Sequence, residues 1–395
     1  MFERKYESLY IGGRWTTPIG QDVIEVLDPT SEKTIGCVPA GTPADIDSAA
    51  DAAHTALAAW ANRSPTDRAK YLERIAERLR AKREDLIETI IHEVGCPRSL
   101  TERVQVDAAI ATFESTAALV REISFQEPMG DSLVVREPIG VVGGITPWNY
   151  PLLQIAYKVA PAMAAGCVVV LKPSEVTPLN AYIFAEAIDE AGVPRGVFNL
   201  VPGYGVPTGE ALVSHPLVDA VSFTGSTRAG RQVSRLAAES VKKVTLELGG
   251  KSPNILLDDL DRTALAAAVE AGVRSAFPNS GQNCGALTRL LVPSSRVAEV
   301  EELAVRAAKA LTVGDPEERE TSLGPLVSKA QRDRVLTYIR CGVDEGARLL
   351  TGGTEPPAGR ETGYFVAPTI FTDVTPTMTI AREEIFGPVL VILPY

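Results

Sequence analysis

Residues 141–175 read VVGGITPWNYPLLQIAYKVAPAMAAGCVVVLKPSE, and two runs within that stretch decide the fold. Val141–Ile145 and residues 167–171 are short and apolar throughout, with no alternation of polar and apolar positions. Strands buried on both faces carry that signature, because a parallel sheet is covered by helices on either side. The pattern recurs at residues 197–201 and 220–223, and helical stretches fall between at residues 179–191, 205–214 and 229–239. These features predict an α/β fold built on a doubly wound parallel sheet, in which ligands bind at the carboxyl ends of the strands.

Upstream, Tyr10-Ile-Gly-Gly-Arg-Trp15 predicts a small hairpin, and Thr42-Pro-Ala-Asp45 a capped helix start leading to about Ala61. Residues 66–93 repeat apolar side chains among many charges and predict one amphipathic surface helix. Residues 124–135, with Pro128 and Gly130, read as a β-hairpin arm. Beyond Gly249 a second α/β region begins, with strands near residues 254–257 and 290–292.

The chain has 395 residues, enough for two or three domains, and ordinary proportions of apolar and charged residues. A formal net charge of −11 argues against a nucleic-acid binder, whose phosphate contacts need clustered Lys and Arg. The N-terminus lacks an apolar signal region, and the longest apolar run (residues 159–171) is too short to cross a membrane. Five cysteines without any CxxC pair predict reduced thiols and a cytoplasmic protein. Four of them read as small buried hydrophobes, and Cys284 does not.

Cys284 lies in Gly281-Gln-Asn-Cys-Gly-Ala-Leu-Thr-Arg289, a glycine-flanked loop that substrate can reach. The three histidines, His54, His92 and His215, have no motif context that would make one its base. Glu247 ends the apolar run Lys243–Leu248 before two glycines. A carboxylate partly desolvated there is suited to general-base chemistry. Asn149 sits in the rigid turn Thr146-Pro-Trp-Asn-Tyr-Pro151, where an amide side chain and backbone N–H groups can face an oxyanion. Phe223-Thr-Gly-Ser-Thr-Arg-Ala-Gly230 opens a helix after a strand, as a pyrophosphate site requires, though without GxGxxG spacing. Lys172-Pro-Ser-Glu175 ends another strand with groups suited to ribose hydroxyls. No metal-ligand spacing occurs.

In this order the TPWNYP, LKPSE, FTGST, LELGGKSPNIL, GQNCGALTR and EEIFGPV segments resemble the aldehyde dehydrogenase superfamily from about Tyr10 to the last residue. The resemblance implies a Rossmann-like cofactor domain (residues 1–118 and 138–249), an oligomerisation hairpin (119–137) and a second α/β catalytic domain (250–395). It further implies oxidation of an aldehyde to a carboxylic acid through a thiohemiacetal and a thioester on Cys284. Asn149 and the Cys284 N–H would form the oxyanion hole, and Glu247 would activate the hydrolytic water. Lys172 and Glu175 would meet the adenosine ribose, with Ser174 also among the cofactor contacts. Gly225 and Ser226 would flank the pyrophosphate, Glu384 and Phe386 would hold the nicotinamide ribose, and Trp148 and Thr224 would line the cleft. The implied cofactor is NAD, with NADP as the alternative, and the implied assembly a homodimer or homotetramer.

Three other readings stay open from the residues. A CoA-acylating or phosphate-forming reductase would release the thioester to another nucleophile, and Glu247 favours water. A cofactor-free cysteine hydrolase would need a histidine in context and has no use for FTGST or KPSE. A non-catalytic relative is disfavoured by the presence of Cys284, Glu247 and Asn149, whereas the early end of the sequence favours it. Members of this superfamily normally continue past the EEIFGPV segment. A polypeptide truly ending at Tyr395 is therefore expected to be weakly active and to assemble abnormally.

Overall fold

The computed structural model describes residues 2–395 and divides into two compact units. The first comprises Met1–Val26, Thr34–Ile90 and Glu102–Leu248; the second comprises Leu27–Lys33, Ile91–Thr101 and Gly249–Tyr395. The long segment of the second unit begins at Gly249. Two N-terminal pieces go with the second unit, and the hairpin goes with the first.

The first unit holds a seven-stranded sheet. Its order is Lys243–Leu248, Ala220–Gly225, Val141–Ile145, Val168–Lys172, Phe198–Leu200, Leu9–Ile11 and Arg14–Thr16. The first five strands are parallel and the last two pair antiparallel. From Val141–Ile145 the chain steps outward through two strands, then returns to the other side of its starting strand. The direction therefore switches between Val141–Ile145 and Ala220–Gly225, the position at which such sheets bind ligands. Val141–Ile145 and Val168–Lys172 are buried at every position, as their unbroken apolar runs predict. Each fully buried Val or Leu there contributes about 2 kcal/mol of apolar transfer energy.

Helix Pro43–Ala61 starts as the sequence predicts. The Thr42 side chain accepts from the Asp45 N–H, and the Asp45 carboxylate accepts from the Thr42 N–H at 2.8 Å. The single helix expected over residues 66–93 is two, Pro65–Ala81 and Arg83–Val94. The break at Lys82 carries no Gly or Pro. It is held instead by the Lys82 ammonium between Glu186 and Glu190, a tertiary contact that periodicity cannot foresee. Helix Pro151–Ala164, which the sequence reading did not indicate, is buried around most of its circumference and exposes only a narrow stripe at Tyr157 and Pro161. The arm is a two-stranded hairpin, Gln126–Met129 with Ser132–Val135, and it leaves Met129, Leu133 and Val135 exposed.

The second unit is built on a five-stranded sheet, ordered Pro253–Ile255, Arg289–Val292, Val389–Pro394, Thr369–Thr372 and Arg348–Thr351. Only the last strand runs antiparallel. One apolar cluster lies between this sheet and helices Arg262–Ala276 and Val297–Lys309, and another beneath helix Lys329–Asp344. The sequence indicated two of these five strands. Among the described residues no helix is long and apolar enough to cross a membrane.

Candidate active site

In the first unit the predicted residues gather at the carboxyl ends of the parallel strands. The Val141–Ile145 strand runs into a turn that the Thr146 N–H ties to the Lys172 carbonyl at 3.2 Å. Side chains from elsewhere hold the carbonyls of that turn: Gln105 Nε2 donates to Asn149 O at 2.9 Å, and Thr177 Oγ1 to Trp148 O at 3.3 Å. Asn149 is consequently buried in a fixed backbone, as an oxyanion donor needs. Pro151 then occupies the first position of the next helix, where its missing N–H costs nothing.

A cavity of about 420 Å³ opens beside the switch point, lined by Ile145, Lys172, Gly209, Phe223 and Val233 among others. Lys172 is buried, and its ammonium donates to the carbonyls of Pro173 (2.8 Å) and Gly203 while Glu175 lies 3.6 Å away. Burial pushes its pKa down and Glu175 opposes the shift. Two of its three protons are therefore engaged by the protein. Gly225 ends its strand, and Ser226 caps helix Thr227–Ala238 by accepting from the Ala229 N–H at 3.2 Å, which leaves the helix N-terminus at the strand's carboxyl end. Ser174 is buried and accepts from the Val176 N–H, which shapes the Lys172–Glu175 turn.

Glu247 departs from expectation. Its strand is the edge of the sheet, its side chains alternate in exposure, and Glu247 is exposed. The partial desolvation expected from an apolar strand is not provided by residues 2–395 of this chain. Glu247 stands opposite Thr224 in the parallel register, so the two side chains project to the same side. There Lys158, reaching up from helix Pro151–Ala164, donates to Thr224 Oγ1 at 2.8 Å and to Ser222 Oγ at 3.1 Å. Burial pushes the Lys158 amine down to about 8, against the pull of the Glu247 carboxylate.

The second unit carries Cys284. A run of three left-handed residues precedes it, Asn279 (φ 52°), Ser280 (φ 57°) and Gly281 (φ 74°). Two non-glycine residues in that region are costly and persist only where the surroundings impose them. Here the surroundings are specific. Ser280 Oγ donates to Gly324 O at 2.7 Å; Gln282, fully buried, donates to Asn279 O at 3.0 Å and accepts from the Val327 N–H at 2.9 Å. A Cβ on Gly281 would lie 2.0 Å from the Gly387 carbonyl, so only glycine fits. Cys284 and Gly285 emerge exposed from this locked segment, and Asn283 Oδ1 accepts from the Gly285 N–H at 2.9 Å.

In the same unit the Glu384 carboxylate lies over the two glycines of the LELGGKSP segment. It accepts from the Gly250 N–H at 3.3 Å, and a Cβ on Gly249 would fall on its oxygens. Burial raises its pKa, and the Gly250 N–H, Arg334 and Lys251 oppose the shift. Phe386, at φ 62°, is fixed through its carbonyl by Gln331 Nε2 at 2.7 Å. The Lys251 amine is buried beside this group without a hydrogen bond, and burial, reinforced by Arg289, pushes it down to about 8.

All five cysteines are thiols. Cys96 and Cys167 are buried as expected, whereas Cys37 and Cys341 are partly exposed. Of the histidines, His92 lies between Asp28 and Glu317, and His215 is paired with Asp47. No group of three or more His, Cys, Asp or Glu suited to a metal occurs among the described residues.

The sequence profile of the aldehyde dehydrogenase family matches residues 15–395. The chain belongs to the aldehyde dehydrogenase family. It is 50% identical over 393 residues to 3-succinoylsemialdehyde-pyridine dehydrogenase of a Pseudomonas species, covering 99% of this chain and 82% of the relative. Among solved structures it resembles aldehyde dehydrogenase C of Pseudomonas syringae, a Cys-to-Ala mutant in complex with NAD+ and octanal. That match has a TM-score of 0.97 at 47% identity, over 98% of this chain and 80% of the other. The NAD+ complex of a Mycobacterium tuberculosis aldehyde dehydrogenase superposes with a TM-score of 0.96 at 42% identity, over 100% of this chain and 82% of the other. The enzyme is an NAD-dependent oxidoreductase that converts aldehydes to carboxylic acids.

Three residues of this aldehyde dehydrogenase went unread in the sequence: Lys158, Gln282 and Lys251. Gln282 carried the one available signal, a polar residue between Gly281 and Asn283 in the Cys284 loop. Lys158 and Lys251 looked like ordinary lysines.

Proposed function

We propose that Cys284 is the nucleophile of this aldehyde dehydrogenase, and the observation that carries the reading is its exposure at the end of a rigidly held loop. Its thiolate attacks the aldehyde carbon, and the carbonyl electrons pass to oxygen. The Asn149 amide and the Cys284 N–H donate to that oxyanion, which is worth about 3 kcal/mol per donor in comparable sites. NAD, when bound, takes up the hydride that leaves as the thiohemiacetal becomes a thioester. Glu247 removes a proton from water, which attacks the thioester and expels the Cys284 thiolate with the carboxylic acid as product.

The cavity beside Ile145 and Phe223 suits an adenosine: its walls are largely apolar and a capped helix N-terminus stands at its edge. In this reading Lys172, Ser174 and Glu175 border the ribose, Gly225 and Ser226 the pyrophosphate, and Trp148 and Thr224 the cleft. Glu384 and Phe386 hold the nicotinamide ribose. The first unit thus serves as the cofactor domain and the second as the catalytic domain. The exposed Met129, Leu133 and Val135 support assembly through the hairpin, as a homodimer or homotetramer, and the five unbridged thiols support a cytoplasmic setting. Cys284→Ala is expected to lose aldehyde oxidation, followed as NADH absorbance, while still binding NAD. Substantial turnover in that variant would overturn the assignment.

A further inference from the structure

The helical segment that begins at Arg98 is irregular. It is α-helical at Arg98–Leu100, widens into a π-helix over Thr101–Asp107, and returns to an α-helix over Ala108–Glu122. Helices of the wide kind are rare and recur at functional sites, because the extra residue in the turn re-aims a side chain. Within this one lies Gln105. It is fully buried, and its Nε2 donates to the Asn149 carbonyl at 2.9 Å, a partner 44 residues along the chain. Its Oε1 is buried as well and has no hydrogen-bond partner among the described residues. An unsatisfied buried acceptor costs at least as much stability as a single hydrogen bond returns. A core built for stability alone would carry an apolar side chain there. What the amide supplies in exchange is a donor fixed on the main chain of Asn149.

Resting on the reading of Asn149 as an oxyanion donor, we propose that Gln105 is a positioning residue for the reaction. By holding the Asn149 carbonyl it fixes the peptide from which the Asn149 amide reaches the aldehyde oxygen. The neighbouring contact, Thr177 Oγ1 to the Trp148 carbonyl at 3.3 Å, is longer and one residue removed. Oxyanion stabilisation depends on donors set in place before charge develops, and a misplacement of about 1 Å can cost about a hundredfold in rate. In this role Gln105 acts on neither substrate nor cofactor directly. Its loss lowers turnover through Asn149 and leaves cofactor affinity alone.

The test is a double-mutant cycle on the whole enzyme, read as steady-state NADH production and as NAD binding by calorimetry. Gln105→Met keeps the length of the side chain and removes the donor. It is expected to lower kcat about tenfold while the Kd for NAD changes less than about twofold. In the Asn149→Ala background the same substitution should change kcat less than about twofold, because the group it positions is gone. Gln105→Glu can donate only as the protonated acid, so its kcat relative to the parent should fall as pH rises, with the ratio for Gln105→Met flat. Full kcat in Gln105→Met, an equal loss in the Asn149→Ala background, or matching losses in kcat and NAD affinity would overturn the proposal while Asn149 keeps its role. Should Gln105→Met fail to fold, a flat pH ratio for Gln105→Glu overturns it equally. Full kcat in Asn149→Ala overturns the oxyanion reading, and the role of Gln105 with it.

Discussion

Replacing Lys158 with Met tests the electrostatics of the site through stability alone. Lys158 is 7% exposed, and burial lowers its pKa from 10.5 to about 8. Below pH 8 both the folded and the unfolded chain carry the proton, and the folded state bears the full cost of a buried ammonium. At 1.36 kcal/mol per pKa unit, that cost is about 3 kcal/mol. Between pH 8 and 10.5 the unfolded chain binds more protons than the folded one, so stability rises with pH and the cost disappears. Methionine keeps most of the apolar stem and never carries the charge. It loses the bonds to Ser222 and Thr224, worth about 1 kcal/mol each. Lys158→Met should therefore be more stable than the parent by about 1 kcal/mol at pH 7 and less stable by about 2 kcal/mol near pH 10.5, the sign reversing near pH 9. The three tryptophans, Trp15, Trp60 and Trp148, all lie in the first unit with Lys158. Guanidinium unfolding followed by tryptophan fluorescence therefore reports that unit, and not Lys251, which is shifted likewise in the other. Lys172 and Lys242 contribute to the slope of both proteins and cancel in the difference. Parallel pH profiles for variant and parent would refute the reasoning.

Glu247→Gln should retain a pre-steady-state burst of NADH and accumulate an acyl group on Cys284; a burst with no adduct by mass spectrometry would remove Glu247 from the deacylation step. Gln282→Ala strands the Val327 N–H and the Asn279 carbonyl in the interior, at a cost of about 2 to 3 kcal/mol. Hydrogen exchange around residues 279–287 should accelerate and kcat should fall, and unchanged exchange would show that the loop is held by other contacts. Replacing both Met129 and Leu133 with Glu should lower the assembly state in sedimentation without unfolding the first unit; an unaltered sedimentation coefficient would exclude the hairpin from the interface.

The fold was legible wherever burial was uniform or a cap was local. Val141–Ile145 and Val168–Lys172 announced themselves because both faces of a central strand are covered and every position must be apolar. Thr42 with Asp45 and Ser226 with Ala229 are contacts three residues apart, which a sequence displays directly. What escaped depended on distant partners. The Lys82 ammonium at the break between two helices lies between Glu186 and Glu190, far along the chain, and helix Pro151–Ala164 exposes only a narrow stripe at Tyr157 and Pro161.

The site divides along the same line. The irregular backbone around Cys284, Asn149 and the Gly225–Ser226 turn was legible because each position is flanked by glycines or prolines. Glu247 was read correctly as the end of a strand but wrongly as desolvated, since nothing in Lys243–Leu248 tells that the strand is an edge. Lys158 could not be read at all. Its chemistry exists only because Ser222 and Thr224 alternate on one face of their strand and the register sets Glu247 beside Thr224. Any lysine on a buried helix has the same one-dimensional appearance, and only the sheet's register sets this one on the same side as Glu247.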